Sequence, residues 1–516
     1  MWENYKMKVN QLKVLNIEEI ERIHSTSLEL LEDIGIRIES QTIRDKLKPY
    51  GTLEEDKDDT EIIKIPRELV LDCLKRVPRE FKLWGPDGSY NFRINTNTMK
   101  FGTFGAAVNI FDPSCRKGVR KSTLKDSSDH IKLINHLENI DCSHMDVWPS
   151  DIPFMELHFH TLREWGRFAK KPYGMGCYGR TATNDMIRIT SLIVDGEKEL
   201  IKKPRLLGVF NPTSPLRLPK ILLNGLEVFC KYKQPINISS AALAGSTAPI
   251  TLAGVLTQAN MEVLATITIS QVLNSGTPVL YGSTNTIMDP LTGNSAYGSV
   301  EMGLITAASA QIAHYYGIPS KGSGCLTESK CFDIQNGYER FMTLMFAANA
   351  GHNYITCAGT YETSLTESFE LLFIDNEMIG IIKREMEGIN VSSERLGDQE
   401  IKDLFIRERK SFLGTQHSAK FTRKELFVPK LTDRDRRGIW IKNGAMNMRE
   451  RSNVKVKDIL DSKIESQLSK ETESKLNNYL EKIKKRTLDD YKKLEGLVES
   501  DDSTDILGVN VDDSIS

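Results

Sequence analysis

The sequence predicts an α/β protein: a (β/α)8 TIM barrel with an N-terminal α+β extension and a helical C-terminal segment. Three observations carry this. Beyond about residue 113, short apolar runs alternate with helix-like stretches, and each run leads into a loop rich in Gly, Ser, Thr and Pro. Several runs begin just after a proline and have the length of a buried strand. Seven such units are clear, and "FGTFGAAVNIFD" or a later segment supplies an eighth, which favours a closed barrel over a doubly wound sheet.

The elements follow in order. "IEEIERIHSTSLELLEDIGIRIES" places apolar residues at helical spacing and ends at Gly35, a helix leading into a strand. "IPRELVLDCLKRVP", bounded by Pro66 and Pro78, is a second short helix. "KLWGPDGSYNFRI" reads as strands and hairpins, so residues 1–113 form the extension. The barrel is assigned to 114–381. Its strand-and-loop units are "IDCSHMDVWPSD", "KPYGMGCYGR", "PRLLGVFNPTSP", "PINISSAALAGSTAP", "TPVLYGSTNTIMDP", "IPSKGSGCLTES" and "NYITCAGTYET". Residues 382–485 are charged and mostly helical. Residues 486–516, ending "DDSTDILGVNVDDSIS", are acidic and rich in Ser and Asp, the composition of a flexible solvated tail.

The balance of 68 Lys+Arg against 70 Asp+Glu gives no electrostatic case for nucleic acid or an anionic membrane. No run of about 18 apolar residues marks a transmembrane helix. The charged start "MWENYKMKVNQLKVLNIEEIERI" lacks the apolar core of a signal peptide. Eight cysteines without a dense framework fit free thiols in a reducing cytoplasm.

In a barrel of this class the active site lies in the loops after the strands. The strand ends carry Phe104, Trp148, Tyr178, Phe210, Tyr281 and Tyr361. Converging rings make a π-rich well suited to a quaternary ammonium, which donates no hydrogen bond and is held by cation–π contact. The competing reading is that the rings fill the barrel or pack on loops. The small residues of Gly245–Thr247 (Gly245, Ser246, Thr247) and Gly282–Thr284 (Gly282, Ser283, Thr284) let a flat cofactor approach the backbone, or serve only tight turns. No metal is expected. Cys325 and Cys331 lack a nearby Cys/His pair, His158 and His160 diverge on a helix, and no CxxC, HExxH, GxGxxG, P-loop or GxSxG pattern occurs.

Specific runs carry a family resemblance. "AGSTAPITLAGVLTQANMEVLA", "MDPLTGNSAYGSVEMGLITAASAQIAHYYGIP", "LTESKCFDIQNGYE", "GTYETSLTESFELLFIDNEM" and "FLGTQHSAKFTRKELFVPKLTDR" resemble the trimethylamine methyltransferase superfamily of corrinoid-dependent enzymes. The likeness spans roughly residues 10–485. It implies a (β/α)8 barrel that binds a methylamine-type substrate while a small partner corrinoid protein brings cobalamin over the mouth to accept the methyl group. The founding enzymes use pyrrolysine. This chain holds only standard residues, Cys331 among them, which places it with the branch that resembles glycine betaine methyltransferases and acts on quaternary amines. The expected product from glycine betaine is dimethylglycine, in methylamine metabolism linked to methanogenesis or acetogenesis.

The resemblance also assigns roles. Glu362 matches a family-typical acid that orients substrate or helps order the corrinoid; its plain alternative is a helix N-terminal acid favoured by the dipole. Lys330 and His352 are candidate donors to a betaine carboxylate. His417 matches the C-terminal motif, either touching corrinoid or stabilising the fold. The expected partners are the corrinoid protein and a small quaternary amine, in a homo-oligomer without nucleic acid or membrane. Two alternatives stand: a tertiary-amine demethylase without pyrrolysine, and a non-catalytic barrel that binds betaines or the corrinoid protein.

Overall fold

A computed structural model describes residues 12–51, 53–54, 61–406 and 411–497. Eight parallel strands form one sheet, and each is followed by a helix. In chain order these are β1 (Lys100–Phe101), α1 (Leu124–Ile134), β2 (Ser143–His144), α2 (Leu157–Phe168), β3 (Tyr173–Gly176), α3 (Gly179–Ile193), β4 (Leu206–Phe210) and α4 (Lys220–Lys231). Then come β5 (Ile236–Ser240), α5 (Leu252–Leu273), β6 (Val279–Ser283), α6 (Val300–Tyr315), β7 (Ser320–Ser323), α7 (Ile334–Asn349), β8 (Tyr354–Thr356) and α8 (Phe369–Met386). Neighbours in sequence are neighbours in the sheet, and β8 pairs back onto β1. A parallel bridge between Gly102 and Cys142 joins β1 to β2 and closes the barrel.

The predicted barrel class is therefore what the chain adopts, with one shift of boundary. The first strand, Lys100–Phe101, lies inside the segment assigned to the extension. It is two residues long and ends at Phe101, the first residue of "FGTFGAAVNIFD".

The extension closes the bottom of the barrel. The antiparallel hairpin Glu80–Trp84/Asn91–Asn95 turns Phe81, Leu83, Phe92 and Ile94 onto Cys142, Leu207, Leu280 and Tyr354. Burying these side chains stabilises by roughly 1.5–3 kcal/mol each and shuts the N-terminal end, so the barrel opens only at its strand C-termini. The N-terminal helix Ile17–Asp33 starts on a capping box between Asn16 and Glu19 and packs on α5. Helix α5 is the one described helix long and apolar enough to cross a membrane. Its buried face is continuous, from Val255 to Gln271, because the barrel lies on one side and helices Ile17–Asp33 and Arg67–Arg76 on the other.

C-terminal helices wrap the barrel. Met448–Leu460 packs on α8, and Lys470–Ile483 packs on α3. Helix Leu488–Glu495 falls in the stretch assigned to the flexible tail, yet it is capped by a Thr487/Asp490 box and buries Tyr491 and Glu495. Glu495 accepts from the backbone amides of Arg180 (2.8 Å) and Thr181 (2.7 Å), filling the open N-terminus of α3. The acidic run beyond residue 497 lies outside the described residues.

Candidate active site

Strand alternation decides which side chains reach the axis, and contacts between non-adjacent strands reveal it. Lys321 on β7 has Nζ 5.3 Å from the ring centroid of Phe104, just past β1. Strand β8 lies between those two strands, so the contact runs across the interior. His144 on β2 likewise meets the Tyr354 hydroxyl of β8 at 2.8 Å, across β1. The inward set thus includes Phe104, His144, Lys321 and Ser323.

Lys321 is fully buried. Its ammonium donates to Ser323 Oγ (2.7 Å) and Thr284 Oγ1 (3.0 Å), and no carboxylate among the described residues forms an ion pair with it. Burial pulls its pKa down to about 8. Gly282 is inward on β6. A Cβ there would fall 1.9 Å from Ser239 Oγ and 2.5 Å from Asn237 Oδ1, so glycine is required for the β5 polar side chains to face the well. Burial holds the His144 pKa down at about 4, with the field of Asp146 raising it and that of Lys321 lowering it.

On the β1–β2 wall, His130 of α1 stands between two carboxylates. Its Nε2 is 3.1 Å from Asp146 Oδ2, and its Nδ1 is 3.1 Å from Glu367 Oε1. All three are almost wholly buried. Burial opposes charge on the imidazole, but Glu367 and Asp146 outweigh it and push its pKa up to about 10. Burial also pushes the Glu367 carboxyl up, against the pull of His130. The mouth is therefore polarised, with a buried ammonium on the β7 wall and an acid-rich cluster on the β1–β2 wall.

Of the six predicted rings, Phe104 and Tyr178 lie on the inward side, Tyr178 because a Cβ on Gly176, inward like Gly174, would fall 2.3 Å from its ring. Phe104 alone reaches Lys321 and His144. Trp148 and Tyr178 meet edge to face at 5.8 Å and line a separate pocket with Met145, Met155, Ala182 and Tyr491. That cavity holds about 20 Å³, room for roughly one water. Phe210 faces outward: a Cβ on Gly208, two residues earlier, would touch the Phe229 ring of α4 at 3.0 Å, and alternation puts Phe210 on the same face. Tyr281 also points outward and donates to Asn260 Oδ1 on α5 at 2.9 Å. Tyr361 is buried and joins the half-buried Phe332 (6.2 Å) and, through it, the half-buried Phe111.

The predicted polar contacts need similar correction. His352 lies on the outer face of β7, against Gly322, and bonds the Thr306 carbonyl of α6 at 2.9 Å; burial pulls its pKa to about 3. Lys330 is exposed and donates to the Glu328 carbonyl. Gly282 and Ser283 are buried in β6, out of reach of a partner's cofactor. Thr284 is half-buried and accepts from Lys321. His417 packs on Phe421 at 4.7 Å, near Gly397, within the C-terminal helices.

Glu362 does not begin a helix. It sits half-buried in the turn of the hairpin Thr360–Tyr361/Thr366–Glu367 and accepts from Thr366 Oγ1 at 2.8 Å. Glu362, Thr363 and Ser364 all have positive φ (53°, 56° and 64°), which strains residues with a Cβ. Thr363 ties this turn to the β7–α7 loop, donating to Glu328 Oε2 at 2.6 Å. In that loop Asp333 caps α7, accepting from the Asn336 amide at 2.9 Å.

Among the described residues no group of three or more His, Cys, Asp or Glu could hold a metal ion. The outer rim exposes two of the strand-end loops. The loop after β5 exposes Gly245 and Ser246 beside Ile250 (71% exposed), and the loop after β6 exposes Leu291 (93%). Gly245 has φ +84°, a turn that glycine makes without strain. Lys321, His144, Asp146, His130 and Glu367 are the residues sequence reasoning missed. "SHMD" carries His144 and Asp146 at strand spacing, and "IPSKGSG" carries a lysine inside a strand of small residues.

The family model described as "Trimethylamine methyltransferase (MTTB)" matches residues 1–488. A glycine betaine methyltransferase of Desulfitobacterium hafniense is 30% identical over 90% of this chain and 96% of that protein. A trimethylamine methyltransferase MttB of the same species is 31% identical over 86% of this chain and 88% of its own length. MttB of Methanosarcina barkeri is 32% identical over 87% and 91%.

Proposed function

This chain belongs to the trimethylamine methyltransferase family, and from that premise we propose that it moves a methyl group from a quaternary amine, glycine betaine first among them, to the corrinoid of a partner protein. The observation that carries the reading is Phe104, an aromatic face on the axis beside a polar wall. A ring holds a methylated ammonium without offering it a hydrogen bond. The likeness to a glycine betaine methyltransferase over almost all of that protein supports the substrate.

When its carrier docks, the corrinoid supplies a strong cobalt nucleophile that takes the methyl group. This chain's part is to hold the substrate. The closed barrel bottom leaves one way in, so the N–CH₃ bond is turned toward the mouth and water is thinned around it. As the bond breaks, its electron pair stays on nitrogen, and a quaternary ammonium leaves as a neutral tertiary amine with no proton supplied. Cation stabilisation must stay modest, because the nitrogen charge vanishes in the transition state. One ring meets that need better than a contacting carboxylate, and Asp146 is held by His130 instead. Glu362, in its strained turn, is the rim residue proposed to orient the substrate. Gly245, Ser246 and Thr247 are proposed to receive the macrocycle.

The test supplies reduced cobalamin and a panel of betaines, tetramethylammonium and trimethylamine. Loss of one methyl group from a quaternary amine is the expected result, and inertness of every quaternary amine sinks the reading. A second reading, demethylation of trimethylamine, is favoured by relatives of that name at 31–32% identity; preferential conversion of trimethylamine to dimethylamine in the same panel would establish it.

A further inference from the structure

We propose that Lys321 is a specificity-determining residue whose ammonium binds the carboxylate of a zwitterionic substrate, so that the barrel selects quaternary amines bearing an anionic group over bare tetraalkylammonium ions. The proposal rests on the reading of the chain as a quaternary-amine methyltransferase and names the feature of the substrate that the well recognises. Three observations carry it.

First, Lys321 is buried in the axial well without an anionic partner among the described residues. An ammonium out of water is costly unless an anion meets it. Ser323 Oγ and Thr284 Oγ1 take two of its three protons, and the third has no acceptor among the described side chains. The other buried lysine among the described residues is served differently: Lys171 donates all three protons to the carbonyls of Ile134, Leu137 and Ile140.

Second, Lys321 shares the well with Phe104, whose ring centroid is 5.3 Å from Nζ. An ammonium and an aromatic face at that spacing match the two ends of a short betaine, the carboxylate toward Lys321 and the methyl groups toward the ring. Third, the opposite wall carries Asp146 and Glu367 around His130, so the field across the mouth aligns a dipolar ligand. Gly282 on β6 lets Ser239 Oγ and Asn237 Oδ1 of β5 face the same interior as Lys321, which adds polar groups to the wall beside it.

The experiment measures binding by calorimetry, with glycine betaine, choline and tetramethylammonium as ligands, on the whole chain without a corrinoid. Wild type is expected to bind glycine betaine about 100-fold more tightly than tetramethylammonium, as for a desolvated charge pair. Lys321→Met and Lys321→Gln are expected to lose that preference while keeping tetramethylammonium affinity within about 3-fold, which also shows that the variants fold.

The wild type provides a second test through pH. The preference for glycine betaine should decline as Lys321 deprotonates above about pH 8, while tetramethylammonium binding stays level. The other titratable groups in its field are Cys357, His144 and His352, and burial keeps both histidines neutral across that range. Cys357→Ser, which removes the thiol beside Lys321, and His130→Gln, which removes the imidazole of the opposite wall, should each leave the transition in place. Equal wild-type affinity for all three cations, or an undiminished preference in either Lys321 variant, overturns the proposal and leaves the family reading standing. Failure of any quaternary amine to bind or lose a methyl group overturns both.

Discussion

Two parts of the barrel mouth, one around Lys321 and one around Trp148 and Tyr178, are built in opposite ways. Around Lys321 the wall is made of hydroxyls, small residues and a lone ring, and it buries a cation that meets no acid. Around Trp148 and Tyr178 the wall is made of rings and methionines, and Tyr491 of a C-terminal helix closes it, donating to the Tyr178 carbonyl at 2.7 Å. The rings satisfy one another by packing edge to face. The Lys321 ammonium meets only two hydroxyls and the Phe104 ring, with no carboxylate among the described residues. The comparison teaches that aromatic side chains at strand ends need not form a binding cage, whereas an uncompensated buried charge marks the place left for a ligand.

Breaking the acid-rich wall of the mouth gives the largest expected effect. His130→Gln strands Asp146 and Glu367 together, and removing one member of such a buried ionic cluster costs about 3–5 kcal/mol. The pH dependence has a definite sign. The folded pKa of His130, about 10, lies above its ordinary value of 6.5. Its stabilisation is therefore complete below about pH 6.5 and fades as pH rises through 10. Urea titrations should show the variant's deficit widest at pH 6 and narrowest near pH 10. A deficit independent of pH would remove the ionic account of this wall.

Phe104→Ala tests the ring that faces Lys321. A cation–π contact is worth about 1–2 kcal/mol when desolvated, so affinity for glycine betaine should fall about 10-fold. Glu495→Ala sharpens the contrast from the other part. Losing the carboxylate that fills the α3 N-terminus should cost about 1 kcal/mol. Hydrogen exchange across residues 488–497 should then speed up, with betaine affinity unchanged. Tyr178→Leu should do least, shifting betaine affinity by less than about 2-fold, since cation–π worth is lost only where a cation sits. A loss matching that of Phe104→Ala would return the cage to Trp148 and Tyr178.

The barrel was legible because parallel strands buried on both faces leave continuous apolar runs, several opened by a proline. That same signature hides orientation. Phe210 ends, and Tyr281 sits in the middle of, a strand buried on both faces, so nothing in the order of residues says that they point at helices. Lys321 was readable only after parity was known, because "SKGS" looks like a turn until β7 is seen to contain it. The His130 cluster joins α1, the end of β2 and the lead into α8, an arrangement that only the closed barrel brings together. The final helix was masked by its acidic composition, although the Thr487/Asp490 capping pair stood in the sequence.

The central claim is methyl transfer from a quaternary amine, and the most direct measurement follows glycine betaine labelled with ¹³C in its methyl groups. The whole chain is incubated with reduced cobalamin, and products are read by NMR. The account predicts dimethylglycine formed in proportion to the cobalamin supplied, with trimethylamine left intact in a parallel reaction. Glycine betaine left intact, with trimethylamine converted to dimethylamine, would contradict it.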